Sequence, residues 1–212
     1  MRYELYYWPS IPGRGEFIRL AFEDAGADYV SRAPQARAPA FAPPYLKAGS
    51  LVIGQTANIL HYLGPRLGLA PKSEPARLWL HQQALTLLDW LDEVHETHHP
   101  IGSGLYYEEQ KREAKRRAQQ FREARLPKFM RYFEASLGAR HSYVDLALFQ
   151  MIEGLRYAFP KAMRRLEPKH PKLVALHDRV AQRPRIAAYL ASKRRMAFNQ
   201  HGIFRHYPEL DE

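Results

Sequence analysis

Pro44 and the pair Gln55-Thr56, eleven positions later, are the residues of this chain best suited to bind a ligand. Pro44 opens a strand-like stretch, and a proline at such a position fixes φ and often adopts the cis form, exposing neighbouring backbone groups. Gln55 and Thr56 begin a helical pattern, where free N–H groups and the helix dipole favour a carboxylate. Together they predict a cradle for a small peptide-like anion.

A second candidate lies at residues 95–99, where the sequence His-Glu-Thr-His-His fits the zinc-binding pattern H-E-x-x-H. On a helix, His95 and His99 would share one face, with Glu96 as a general base. However, Pro100 ends the helix at once and the sequence places no third ligand. Histidines are also favoured at a helix C-terminus by the dipole alone. We therefore predict no metal site.

The composition of the chain excludes several classes of protein and of chemical site. The chain has 212 residues, of which 46% are hydrophobic, enough to bury the core of one large or two small domains. It contains no cysteine, which excludes disulfides, thiolate metal ligands and a cysteine nucleophile. No apolar run reaches about 18 residues and no signal-peptide pattern is present, so we expect a soluble, cytoplasmic protein with no membrane partner.

The formal net charge is +10, a balance that can favour nucleic acid or other anions. No nucleic-acid-binding motif accompanies it. The basic stretch Lys111–Arg125 has the spacing of an exposed amphipathic helix face, so we expect a solvated basic surface and no nucleic-acid partner.

The predicted secondary structure that positions the candidate residues differs between the first part of the chain and the rest. The first 65 or so residues alternate as β-α-β and then ββα, which predicts a small mixed sheet with helices. The remainder is helical to nearly the end, with predicted helices at 76–97, 108–137 (kinked at Pro127), 142–159, 171–182 and 184–196. We therefore predict a sheet-containing domain at 1–67, a linker at 68–74 and an all-helical domain at 75–212.

Five segments, in the same order and spacing, resemble the cytosolic glutathione transferases over nearly the whole chain. No one of them is specific alone, and the first is most similar to the sigma-like tyrosine-type pattern and to bacterial classes. They are Tyr3–Tyr7 with Gly13–Arg19, Pro44–Leu46 (the family's cis-proline strand), Gln55-Thr56, Leu126–Glu134, and the capping motif Gly138–Asp145.

The resemblance implies an α/β thioredoxin-like N-terminal domain followed by an all-α C-terminal domain, assembled as a homodimer. It implies glutathione as cosubstrate and a small hydrophobic electrophile as the second substrate. The enzyme's task would be to lower the pKa of the glutathione thiol, because the thiolate is the nucleophile. A hydroxyl near the end of the first strand does this by donating a hydrogen bond to the sulfur anion.

The resemblance offers two candidates for that hydroxyl. Tyr7 ends the strand and matches the catalytic tyrosine, although the alignment needs a one-residue insertion in the next loop. Without the insertion, Ser10 matches the loop hydroxyl of bacterial classes. A core aromatic and a turn serine are the plain structural alternatives, and we favour Tyr7.

The remaining expected contacts to glutathione follow from the same resemblance. Gln55 and Thr56 would hold the γ-glutamyl end, although Thr56 could simply cap its helix. The segment Pro43-Pro44-Tyr45 would lie beside the cysteinyl backbone. Arg14 could contact glutathione, order the dimer side or be solvated. His95, His98 and His99, with Tyr106 and Tyr107, would lie near the mouth of the electrophile pocket.

Two departures from the family pattern keep a second function open. The residue before the cis-proline usually offers an N–H and a C=O to glutathione, but Pro43 has no N–H, which costs one hydrogen bond of about 1 kcal/mol. The segment 31–43 is short and lacks the usual Trp and Lys contacts, for which Arg32, Gln35 or Arg37 could substitute. The alternative is a non-catalytic transferase-fold protein that serves as a binding or regulatory module.

Overall fold

The computed structural model describes residues 2–212, which begin with a four-stranded mixed sheet of order β2-β1-β3-β4. β2 pairs parallel to β1, and the other two pairings are antiparallel. The elements are β1 (Tyr3–Tyr6), α1 (Gly13–Ala25), β2 (Tyr29–Arg32), β3 (Tyr45–Ala48), β4 (Leu51–Gly54) and α2 (Thr56–Arg66). The predicted β-α-β and ββα order is therefore confirmed, with residues 33–44 as the loop between the two units.

The register of the sheet brings the sequence candidates to one edge. Tyr6 pairs with Tyr45, and Tyr45 pairs with Gly54. Because these pairings are antiparallel, the chain leaves β1, enters β3 and leaves β4 at the same end of the sheet. Tyr7, Pro44 and Gln55 therefore emerge side by side.

The rest of the chain is helical, as predicted, and α6 forms its buried centre. Both α1 and α3 pack on α6, as does α8, and most of the α6 side chains are buried. The helices are α3 (Glu74–Glu96), α4 (Lys111–Gln120), α5 (Leu126–Ser136), α6 (Tyr143–Ala158), α7 (Pro160–Leu166), α8 (Pro171–Ala181) and α9 (Pro184–Leu190). This is the thioredoxin-like plus all-helical fold class, while the exact domain limits stay a prediction.

Buried charges on α1 join it to the helical part. The Glu16 carboxylate is fully buried and accepts hydrogen bonds from the Tyr189 hydroxyl at 2.6 Å and from Arg19 at 2.9 Å. Asp24 is hydrogen-bonded to Arg183 and to His141, the latter at 3.0 Å. These pairs fix the sheet unit against α9 and the loop before α6.

The predicted helix at 108–137 is wrong in detail. A 3-10 turn at 107–109 precedes α4, and a π-helical segment, Phe121–Arg125, separates α4 from α5. Pro127 has no N–H and its ring displaces the carbonyl four residues earlier, so the backbone widens in the preceding turn. The last predicted helix ends at Leu190 instead of 196, and α7 was not predicted.

The C-terminal tail packs back on the body, as its aromatic composition predicts. Ile203 and Phe204 are buried, and the Asp211 carboxylate accepts the N–H groups of Lys161 and Ala162 at 2.6 and 3.1 Å. The tail thereby caps the start of α7. Among residues 2–212, no helix combines the length and apolar character needed to cross a bilayer.

Candidate functional site

Tyr7 is held rigidly at the end of β1 by the loop and helix that follow it. Its hydroxyl oxygen accepts a hydrogen bond from the Arg14 backbone N–H at 2.9 Å. A Cβ atom on Gly15 would come within 2.6 Å of the Tyr7 ring, and one on Gly13 would collide with the hydroxyl. Because Gly13 and Gly15 have no side chains, α1 can begin directly against the Tyr7 ring.

The environment of Tyr7 keeps its hydroxyl protonated. Burial raises the Tyr7 pKa, and the Arg14 N–H only partly opposes that shift. Because the backbone N–H occupies a lone pair on the oxygen, the phenolic proton remains free to donate to a third group. The arrangement suits stabilisation of an anion such as a thiolate.

Ser10 occupies a different kind of position. It lies in an exposed turn, and its backbone carbonyl accepts a hydrogen bond from the Asn199 side chain at 2.9 Å. The turn is thus tied to the C-terminal tail, while the Ser10 side chain faces solvent.

The Pro43-Pro44 peptide bond is cis, as the resemblance implies. Pro44 and Tyr45 are buried, and the Tyr45 ring stacks on Tyr6 with centroids 4.6 Å apart. The Tyr45 hydroxyl accepts the Gln35 backbone N–H at 3.0 Å. Tyr45 therefore supports the loop before β3 through its side chain, and only its backbone is available at the sheet edge.

Gln55 and Thr56 form an unusual junction between β4 and α2. Gln55 has φ of 68°, the one positive φ of a non-glycine residue among residues 2–212, and this strained backbone turns the chain into the helix. Gln55 is the N-cap, so the alternative of Thr56 as the cap is wrong. The Thr56 hydroxyl is buried and has no hydrogen-bond partner within the described chain.

A cleft of about 260 Å³ lies beside Tyr7. Tyr7, Arg14 and Pro43 line it, and Arg14 is ion-paired with Asp92 of α3. The other predicted site residues, namely Ser10, Pro44, Tyr45, Gln55 and Thr56, are not among its described lining residues. They lie along the sheet edge, or in the exposed turn in the case of Ser10.

The opposite wall of the cleft comes from helix α3 and the C-terminal tail. It consists of His95, His201, Gly202, Ile203 and Arg205, with Trp8 and Ile11 nearby. Local sequence patterns do not assign the tail residues to the site, because only the folded chain brings them to β1. The aromatic character of the tail is the one signal that the sequence offers. Tyr106 is exposed, and Tyr107 packs on Tyr207, with ring centroids 3.8 Å apart, outside the described cleft lining.

The histidines at the end of α3 are clustered, as the H-E-x-x-H pattern suggests, but Glu96 is not part of the cluster. Its carboxylate faces Arg117, at 2.7 Å, on the exposed side of the helix. Burial lowers the pKa of His95 to about 4 and lowers the pKa values of His98 and His99. The three imidazoles are therefore neutral at neutral pH.

Two sequence comparisons relate this chain to glutathione S-transferases. Residues 95–193 match the family model "Glutathione S-transferase, C-terminal domain". The glutathione S-transferase of Plasmodium falciparum (isolate 3D7) is 21% identical over 224 aligned residues, covering 92% of this chain and 97% of that protein.

Solved structures share the fold. The Onchocerca volvulus Pi-class glutathione S-transferase superposes with a TM-score of 0.72 at 23% identity, covering 90% of this chain and 92% of its own. The prostaglandin synthase D of Nilaparvata lugens superposes with a TM-score of 0.74 at 18% identity, covering 91% of this chain and 98% of its own. The family-model match over residues 95–193, the alignment at 21% identity and the common fold make this chain similar to glutathione S-transferases over nearly its whole length.

Proposed function

We propose that this protein is a glutathione S-transferase that directs the thiolate of glutathione onto small hydrophobic electrophiles. The observation that carries the proposal is the Tyr7 hydroxyl, which accepts the Arg14 N–H at 2.9 Å and keeps its own proton free beside the cleft. A buried hydroxyl that donates to a sulfur anion favours the thiolate over the thiol. Tyr7 is thus the proposed catalytic residue.

The sheet edge beside Tyr7 fits the peptide-like part of glutathione. The unpartnered, buried Thr56 hydroxyl at the N-terminus of α2 supplies a donor for the γ-glutamyl carboxylate, together with free N–H groups of the first turn. The carbonyl of Pro43, next to the cis bond, is the group available to the cysteinyl backbone. Gln55 directly precedes Thr56, and Arg14 lines the cleft together with Pro43.

The cleft on the other side of Tyr7 is the proposed electrophile site. Trp8, Ile11 and Ile203 give it apolar surface, while Arg205 and Arg14 give it positive charge. Such a lining suits an apolar electrophile that develops negative charge as the sulfur attacks.

We further propose a cytoplasmic homodimer, a state that the resemblance implies.

The test of Tyr7 compares Tyr7→Phe with Ser10→Ala in a thiol-conjugation assay. We expect Tyr7→Phe to lower kcat/KM by about 10- to 1000-fold, the range for loss of one preorganised donor, while Ser10→Ala leaves it within about twofold. The pH at which bound glutathione ionises, followed by thiolate absorbance, should rise in Tyr7→Phe alone. A larger loss in Ser10→Ala would overturn the assignment.

One observation favours the second candidate, a non-catalytic binding protein. Pro43 provides no N–H to the cysteinyl backbone, so one family hydrogen bond is missing. Calorimetric titration with reduced glutathione decides between the two. Binding near one site per subunit in the micromolar to low-millimolar range supports the transferase; no detectable binding would make the regulatory module the better proposal.

A further inference from the structure

Three imidazole rings meet where α3 ends at the wall of the cleft. One ring nitrogen from each of His95, His98 and His99 lies within 4.8 Å of the other two. His98 and His99 are buried, and His95 is half-buried and lines the cleft. The H-E-x-x-H pattern predicts only the pair His95 and His99. The His98 ring joins them because of how the chain folds after α3.

The local backbone explains how three rings converge. The His99 N–H donates to the His95 carbonyl at 3.2 Å, so the turn stays helical beyond the last residue of α3 and the two rings stack, with centroids 5.1 Å apart. His98 meets both rings edge-on from the adjoining position. Pro100 follows immediately and stops the helix, which keeps the cluster compact.

A hydrogen bond to the tail fixes the tautomer of His98. Its Nε2 lies 2.7 Å from the Ile203 carbonyl oxygen, which can only accept, so Nε2 carries the proton. In the neutral ring Nδ1 is then the acceptor, and the His99 Nδ1–H donates to it at 2.5 Å. A ring N–H bonded to a backbone carbonyl, with the lone pair of the other nitrogen aimed into the cluster, is the usual support for a metal-ligating histidine, and a metal ion would take the place of the shared His99 proton.

We propose that His95, His98 and His99 bind one divalent transition-metal ion, with Zn²⁺ as the natural choice for three neutral imidazoles. Bond lengths of about 2.0–2.1 Å in a tetrahedral site place ligand nitrogens about 3.3 Å apart. The His98–His99 pair must therefore open slightly and His95 must close on it, which small rotations of half-buried and buried rings allow.

The charges around the cluster determine which fourth ligand the ion would bind. Glu96 is paired with Arg117, so the site lacks the base of a metalloprotease. Arg205 lines the same cleft as His95, and its positive charge favours an anionic fourth ligand such as hydroxide or a thiolate, whereas the charge of Arg14 is balanced by Asp92. The cluster is thus a three-histidine centre with one exchangeable position.

The test uses tag-free, chelator-treated full-length protein titrated with Zn²⁺ by calorimetry, and with Co²⁺ followed by its visible absorption. We expect one ion per chain, and at least about 100-fold weaker binding in His95→Gln and in His99→Gln. The matched control is the double variant His61→Gln/His81→Gln, a second imidazole pair with centroids 4.6 Å apart. It should bind like the unmodified chain.

Two results would overturn the proposal: no binding by the unmodified chain, or equal binding by the cluster variants and the control. His95→Gln is the safer variant, because His95 is half-buried and His98 holds the tail. Folding is checked by thermal unfolding, where Zn²⁺ should raise Tm in the unmodified chain but not in His95→Gln. No glutathione is present, so the result is independent of the proposed transferase activity.

Discussion

At the scale of single residues, the most informative side chain is one that lacks a partner. Thr56 is about 1% exposed, and its buried hydroxyl forms no hydrogen bond within the described residues. A buried hydroxyl without a partner costs about 1–3 kcal/mol. Such an arrangement makes sense where a ligand supplies the missing group.

This leads to a prediction for Thr56→Val, which keeps the shape and removes the hydroxyl. We expect the free energy of unfolding to stay level or rise, because no internal hydrogen bond is lost. The affinity for glutathione should fall about 10- to 100-fold, the equivalent of a hydrogen bond to a charged group. Urea unfolding and calorimetric titration of the same variant measure both. Weakened folding with unchanged affinity would make Thr56 a purely structural residue.

Local patterns at a strand start and a helix start predict Pro44 and Thr56 as site residues, and the family resemblance adds Tyr7. The sequence could not show that the Arg14 N–H binds the Tyr7 hydroxyl, since that contact depends on the close approach of Gly13 and Gly15 to the ring. It grouped His98 with His95 and His99 near the pocket mouth, but it could not show that the His98 ring completes a three-imidazole cluster. The orientation of that ring is set by Ile203, more than a hundred residues away along the chain.

At the scale of elements, the region around the π-helical segment shows how tertiary contacts override local pairing. The spacing of charges predicts a Glu113–Arg117 pair within one helix. The structure instead pairs Arg117 with Glu93 and Glu96 of α3, and it pairs Glu93 with Arg125 at 2.6 Å. Within the described residues, Glu113 has no ion pair and is exposed, so the local prediction is wrong. Glu93 is the better partner because its shielded position weakens competition from water.

We predict that Glu93→Gln destabilises the protein by about 1–3 kcal/mol at neutral pH, because two arginines lose a carboxylate partner. Burial alone would raise the Glu93 pKa, but Arg125 and Arg117 lower it below the ordinary value of 4.5. The stabilisation is therefore complete above about pH 4.5 and is lost as the pH falls through the lowered pKa.

Urea unfolding of Glu93→Gln at several pH values measures this effect. Glu113→Gln is the matched control, and we expect it to change stability by less than about 0.5 kcal/mol. The difference between Glu93→Gln and the unmodified chain should shrink in acid. A difference that stays constant from pH 7 to pH 3 would show that the carboxylate charge is not the stabilising feature.

At the scale of the whole molecule, strands and helices alternate in the order that the hydrophobic pattern predicts, and the cis-proline strand lies where the resemblance implies. The aromatic composition predicts that the C-terminal tail packs back on the body, but local patterns could not show that it would reach the cleft. Residues 201–205 close the cleft opposite Tyr7 because Ile203 and Phe204 bury apolar surface against the helical body. That placement is decided by long-range packing, which no short window of sequence contains.

The surface of the single chain also leaves apolar area uncovered. Leu51 and Val52 on β4, one of the two edge strands, are 52% and 41% exposed. Leu78 and Trp79 on α3 are 58% and 48% exposed. An unpaired sheet edge and exposed large side chains mark association surfaces. A second copy of the chain is the proposed partner for them.

We therefore predict that Trp79→Glu, alone or with Leu78→Glu, converts a dimer into a monomer, because a charge placed in a desolvated apolar interface has no partner. Sedimentation velocity should show one species of about twice the chain mass for the unmodified protein and a monomer for the variant. Ile101→Glu is the control, since Ile101 is at least as exposed, at 60%, but lies in the loop after α3. It should remain dimeric. If Trp79→Glu sediments like the unmodified chain, this face of α3 is not the dimer contact.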